Sequence, residues 1–232
     1  MNIGGYELKR YVLPLMDSNM FMLTAGKNAL VIDPNRDIEA FGLLKSAGIK
    51  DITAILTHEH FDHISGVQML REIAGTWPGT CRVYANSFCA AAIKDPDANL
   101  SRFFRALFIN RSEEERAKAE KIFDTEYSCS ADVSFEKDMR FMWEDISIRL
   151  FTTPGHSPGS LCAELYDSTG KLLALATGDS LVEGNKVITR LPGGSRKDYD
   201  EITRPYLEHF SVDTLVLPGH GEVSLMKDLE LG

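Results

Sequence analysis

Short apolar runs separated by polar turns dominate the first third of the chain. Tyr6 to Leu13 and Asn19 to Ala25 alternate or run apolar at strand length, and Ala29 to Ile32 reads as a short buried strand ended by Asp33-Pro34. The period then changes. Ile38, Phe41, Leu44 and Lys45 recur at helical spacing, and Gly48 stops that helix. Thr53 to Leu56 is another short apolar strand, running straight into Thr57-His58. Val67, Leu70, Arg71 and Ala74 predict a helix closed by Gly75, and Arg82 to Ala85 a further strand.

From about 86 to 137 the character shifts to a helical insertion. The charge-dense run Arg111 to Arg116 continues in good helix formers through Phe123 and reads first as a solvated helix. The functional alternative is a lid or a substrate-facing element. Phe103, Phe104, Leu107 and Phe108 form an apolar face that must pack on something. Strands resume at Ile146 to Phe151, Leu161 to Tyr166 and Leu172 to Ala176, the last two joined by a Ser168-Thr169-Gly170 turn. Tyr199 to Phe210 predicts an amphipathic helix and Thr214 to Leu217 a last strand. Strand runs with helices between them in each half predict two sheets sandwiched between helices. Residues 1–232 are taken as a single domain, with the insertion at about 86–137.

Composition narrows the function classes. The net charge is -9, from 34 acidic and 25 basic residues, which disfavours a nucleic-acid partner because such a surface must be basic. No apolar run approaches the ~18 residues of a membrane span, and no signal-peptide core is visible near the start. The four cysteines, Cys81, Cys89, Cys129 and Cys162, are scattered and form no C-x-x-C, which predicts reduced thiols and a cytoplasmic protein. The oligomeric state is left open.

Five of the six histidines fall in three places. The first is Thr57-His58-Glu59-His60-Phe61-Asp62-His63, directly after a strand. On an extended chain residues 58, 60 and 62 share one face and His63 points the other way. If the chain turns there to start a helix, all four groups converge. The second is Thr153-Pro154-Gly155-His156-Ser157-Pro158-Gly159 and the third Leu217-Pro218-Gly219-His220-Gly221, each a histidine braced by Pro and Gly at a strand end. Thr177-Gly178-Asp179-Ser180 follows another apolar strand. Imidazoles and carboxylates at that density are ligands that zinc accepts. His209 lies on the late helix and needs no function.

The H-x-H-x-D-H motif, followed by His156, Asp179 and His220 in that order, resembles the metallo-β-lactamase superfamily. The resemblance implies an α/β fold, the αββα four-layer sandwich, and two zinc ions, with iron or manganese as other choices. His58, His60 and His156 would hold one ion, Asp62, His63 and His220 the other, and Asp179 would bridge them. Asp33 matches an aspartate that orients a ligand histidine, although capping the following turn explains it equally well. The implied chemistry is hydrolysis by a hydroxide formed between the ions, with Asp62 also orienting it.

Within the superfamily, the aspartate at 179 argues for the broader hydrolase branch, because true zinc β-lactamases lack it. Thr-His-Glu-His-Phe-Asp-His, Thr-Pro-Gly-His-Ser-Pro-Gly, Leu-Pro-Gly-Gly (191 to 194) and the stretch Asp95 to Ser101 are similar to glyoxalase II-like thioesterases. A thioester is therefore the first expectation for the small-molecule substrate. A lactonase, another ester or phosphodiester hydrolase, and a mononuclear-iron sulfur dioxygenase share much of the ligand set. A non-catalytic ligand-binding relative would be expected to have lost ligands, and none of the seven is missing. Lys186, Arg190, Arg196 and Lys197 form a basic cluster after Asp179. Surface solvation accounts for them, and Lys186 and Arg190 are the candidates for contacting an anionic substrate.

Overall fold

A computed structural model describes residues 1–75, 79–182 and 186–231. The chain opens as an antiparallel meander: β1 (Asn2–Ile3), β2 (Tyr6–Val12), β3 (Asn19–Ala25) and β4 (Asn28–Ile32). It then switches to parallel crossovers. Helix α1 (Ile38–Ala47) returns to β5 (Asp51–Ile55), and α2 (Phe61–Ile64) with α3 (Val67–Gly75) returns to β6 (Thr80–Asn86). The ends of α1 follow from sequence. Asp37 accepts a hydrogen bond from the Ala40 N–H at 2.8 Å, and Gly48 turns left-handed at φ 62.

A helical excursion follows: α4 (Ser87–Ala92), α5 (Ser101–Phe104) continuing as a 3-10 turn at Arg105–Phe108, and α6 (Glu113–Ile122). A capping box between Ser112 and Glu115 starts α6, and Ala119 is its buried residue, so this charge-rich helix is solvated. The excursion ends before residue 137. Val133–Phe135 forms β7 and lies parallel to β6 as the edge of the first sheet, whose order is β1-β2-β3-β4-β5-β6-β7.

The second sheet begins with β8 (Asp138–Trp143), a strand the pattern at the start of the second half did not include. Its Met139, Phe141 and Trp143 alternate inward between exposed Asp138, Arg140 and Met142. Then come β9 (Ile146–Thr152), β10 (Leu161–Tyr166) and β11 (Leu172–Gly178) in antiparallel sequence. Helix α7 (Arg196–Asp198), capped by Ser195, runs through a π-helical turn (Tyr199–Thr203) into α8 (Arg204–Leu207). The helix thus starts three residues before Tyr199 and stops before His209. Its widened turn precedes Pro205, which has no N–H to continue the ladder. Strand β12 (Leu215–Pro218) lies parallel to β11, and β13 (Ser224–Leu225) completes the order β13-β12-β11-β10-β9-β8.

Three cores hold four layers together. Leu23, Leu30, Ile32 and Ile55 of the first sheet meet Ile148, Leu150, Leu161 and Leu165 of the second. On the outer face of the first sheet, Val31, Ile52 and Ala54 pack under Phe41, Leu44, Val67 and Leu70. On the outer face of the second, Cys162, Leu175 and Val216 pack under Leu207 and Met226. Burying each large side chain contributes about 1.5–3 kcal/mol. The result is the αββα sandwich. Among the described residues no helix is long and apolar enough to cross a membrane.

Candidate metal centre

Strand direction gathers the site. β4 and β5 are parallel, and β9, β11 and β12 run the same way as one another, so their carboxyl ends open on common edges. Asp33 follows β4, Thr57-His58 follows β5, His156 follows β9, Asp179 follows β11 and His220 follows β12. At His60 the chain does turn: His60 occupies the N-cap of α2, and Asp62 and His63 come round within its first turn. Each of His58, His60, Asp62, His63 and His156 is buried.

Two triads result. Ligand atoms of His58, His60 and His156 lie within 4.8 Å of one another, as do those of Asp62, His63 and His220. His60 Nδ1 faces His156 Nε2 at 3.0 Å, and His63 Nε2 faces His220 Nε2 at 3.3 Å. Asp62 Oδ2 stands 3.4 Å from His63 Nε2 and 3.5 Å from His220 Nε2. Asp179 spans the two groups. Its Oδ2 is 3.5 Å from His156 Nε2 and 3.4 Å from His220 Nε2, and its Oδ1 is 3.5 Å from His63 Nε2.

The donor set fits metal ions. The buried Nε2 of His58 and Oδ1 of Asp179 have no hydrogen-bond partner. Such orphaned groups are costly unless something completes them. Imidazole and carboxylate together suit a borderline divalent cation. Among the protein groups alone, burial and the neighbouring imidazoles hold His58 well below its ordinary value of 6.5, and burial pushes His60 down to about 3. Burial also depresses His63 and His220, but the surrounding carboxylates outweigh it and raise them to about 9 and about 11. Burial works against the charged forms of Asp62 and Asp179, yet the imidazoles facing them hold both below the usual carboxylate range.

Behind the ligands stands Asp33, itself buried and held at φ 52, a left-handed conformation that Asp tolerates better than most residues. Its Oδ1 accepts from the Thr57 N–H at 2.7 Å, and its Oδ2 from the Thr57 hydroxyl at 2.6 Å and His63 Nδ1 at 3.1 Å. With its proton committed to Asp33, the Thr57 oxygen accepts from His58 Nδ1 at 3.1 Å. Both Nε2 lone pairs are thereby turned into the site. Asp33 also falls within 4.8 Å of His58 and His63 as a third candidate group, but these bonds commit its oxygens to orienting. His156 is fixed in the same sense, its Nδ1 donating to the Ile188 carbonyl at 2.8 Å.

Other supports carried no signal in the sequence beyond adjacency to a ligand. Asn19 Nδ2 donates to the carbonyls of Pro218 and Gly221, both at 2.9 Å, pinning the His220 loop. Glu59 faces away from the triads and accepts from the Ser157 hydroxyl at 2.9 Å, tying the first ligand loop to the His156 loop; burial raises its carboxyl to about 7. Gly219 packs so closely that a β-carbon there would overlap the Asp179 carboxylate.

A model of the metallo-beta-lactamase superfamily matches residues 13–220, the span that holds every one of these side chains. The chain belongs to that superfamily. It is 27% identical over 207 residues to a protein of Bacillus subtilis called probable metallo-hydrolase YqgX, covering 89% of this chain and 86% of the relative. A shorter stretch of 73 residues is 34% identical to the hydroxyacylglutathione hydrolase of Prochlorococcus marinus, covering 32% of this chain and 28% of that one. Among solved structures, BLEG-1 B3 metallo-beta-lactamase shares the fold with a TM-score of 0.70 at 24% identity, covering 96% of this chain and 95% of the other.

Like the fold, the mouth of this superfamily member's site is built from both halves. A cavity of about 450 Å³ rises from His60, Asp62, His156, Asp179 and His220. Its walls are Leu100, Phe103, Phe104 and Leu107 on one side and Ile188, Leu191 and Pro192 on the other. Lys186 and Arg190 are exposed and do not line it. On the segment that carries them Val187 is buried and Ile188, partly exposed, lines the cavity, while the Lys186 and Arg190 side chains lie in water.

Proposed function

We propose that the protein is a hydrolase of thioesters, acting on a small molecule with two divalent ions, zinc first and iron or manganese as alternatives. The observation that carries this reading is the Asp179 carboxylate spanning two complete triads. Two ions held there would supply Lewis acidity toward a carbonyl and a water acidic enough to ionise near pH 7. Around them the chain's own groups bind and orient. Asp33 and Thr57 hold His58 and His63 in the ligating tautomer, Asp62 and Asp179 direct their carboxylates at the reacting region, and the apolar walls exclude water.

Support for the thioester is the Thr-His-Glu-His-Phe-Asp-His and Thr-Pro-Gly-His-Ser-Pro-Gly phrases, with the partial match to a hydroxyacylglutathione hydrolase. The net charge of -9 weighs against a polynucleotide phosphodiester. Four free thiols favour the reducing cytoplasm. Elemental analysis of metal-replete protein, with a panel of thioester, lactone and phosphodiester substrates, tests the reading. It predicts close to two ions per chain, and loss of both ions together in Asp179→Ala. Iron near one per chain with oxygenation of a persulfide points instead to a dioxygenase, and an inert protein to a binding relative.

A further inference from the structure

We infer that the substrate carries an apolar straight chain of up to about ten carbons, lying in the cavity above the ligand residues. The inference rests on the hydrolase reading for the position of the carbonyl and on the cavity walls for everything else. Phe103, Phe104 and Leu107 lie on one face of the α5 and 3-10 segment, and Leu100, at the left-handed N-cap of α5, joins them in the wall. That face is divided. Phe104 packs edge-on to Phe61 with ring centres 5.5 Å apart, while Phe103 and Leu107 remain 53% and 61% exposed. Ile188, 47% exposed, looks across at them from the opposite wall.

Large apolar side chains scattered over a surface need no explanation, but here they ring one opening over five ligand-type residues. No lysine or arginine lines the cavity among the described residues, and its walls above the ligand residues are apolar. A charge remote from the reacting carbonyl, such as the far end of a charged peptide thiol, would lie against those walls unpaired. A methylene takes roughly the ~30 Å³ of a water molecule, so a space of about 450 Å³ holds a reacting carbonyl and a chain of about ten carbons.

The test uses the metal-replete, full-length protein and two series of thioesters. One lengthens the acyl chain on N-acetylcysteamine from two to twelve carbons, and the other lengthens an alkanethiol on acetate. Catalytic efficiency, kcat/KM, is expected to climb about two- to fourfold per methylene and to level off near ten carbons in one series. The series that climbs tells which side of the scissile bond enters the cavity. Phe103→Ala and Leu107→Ala lower the slope. Phe88→Ala, an exposed aromatic on α4 outside the lining, keeps it. Efficient hydrolysis with no chain-length dependence in either series overturns the inference and leaves the hydrolase reading intact. If no thioester is cleaved at any length, the hydrolase reading fails, and calorimetric binding of alkanoates from four to twelve carbons judges the cavity. Affinity that rises with length in the wild type and less steeply in Phe103→Ala upholds it. Absent or length-independent binding overturns it.

Discussion

Replacing Asp33 by Asn keeps the shape of a buried side chain and removes its charge, and it should damage both triads at once. Asp33 receives three hydrogen bonds, two from Thr57 and one from His63. Asn tolerates the φ of 52 at this position, so the backbone stays put. Its one carbonyl oxygen can still accept from the Thr57 N–H. Its NH2 then points at the Thr57 hydroxyl and at His63 Nδ1, where donors used to find a carboxylate. The opposite amide orientation sets NH2 against the Thr57 N–H. His63 must accept on Nδ1 and carry its proton on Nε2. The Thr57 hydroxyl, now an acceptor from Asn, turns its proton toward His58 Nδ1, with the same outcome there.

Two ligand lone pairs become donors. The loss of an outer partner weakens metal binding about 10–100-fold per site, so both sites should weaken by that factor. Exchanging charge-assisted for neutral bonds also costs about 1–2 kcal/mol in metal-free protein. In a chain of this size that lowers Tm by about 2–8 °C. Asp33→Ala should lose more, because Ala at a left-handed φ adds about 1–2 kcal/mol. Competition with a chromophoric chelator reads the affinities, and melts in chelator read the fold. Both sites within threefold of wild type in Asp33→Asn would refute the relay through Thr57 and His63.

Two further outcomes follow from the same geometry. His63 and His220, raised to about 9 and about 11, are protonated at pH 7, so an ion entering the second triad should release about two protons and gain about 100-fold in apparent affinity per pH unit. In chelator, the stability these two contribute is complete below the ordinary 6.5 and is lost as pH climbs through about 9 and about 11; calorimetry in buffers of different ionisation enthalpy and urea melts across pH check the two halves of this. Gly219→Ala should displace the Asp179 carboxylate and cut metal content at both triads while far-UV circular dichroism stays unchanged, and full metal content in that variant would contradict the bridging role.

Most of the site was legible because its chemistry is carried by residue types at short spacing. His58 to His63 sit within one strand end and one helical turn, and Pro-Gly pairs mark the two distant histidines. The supporting bonds were not legible, because Asn19, Thr57 and the Ile188 carbonyl are ordinary until the fold brings them near. β8 escaped because Asp138, Arg140 and Met142 dilute an alternation whose inward residues rest on the first sheet, where Phe141 stacks on Tyr84 at 4.2 Å. The apolar face at Phe103 to Phe108 was visible as a pattern, but only tertiary packing decides which members go inward. Phe108 stacks on Phe123 at 5.4 Å, and Phe103 is left over the site. Lys186 and Arg190, near Asp179 in sequence, are exposed and outside the cavity lining.

The two sheets are made from successive halves of the chain, and each triad takes two members from loops of the first half and one from the second. An ion held in either triad would therefore clasp the halves together, beside the apolar core and the Asn19 and Glu59 hydrogen bonds that already join them. At a free concentration a thousandfold above Kd, each ion would add about 4.1 kcal/mol against separation. Metal supply would then govern how firmly the two halves stay together, as well as the chemistry between them.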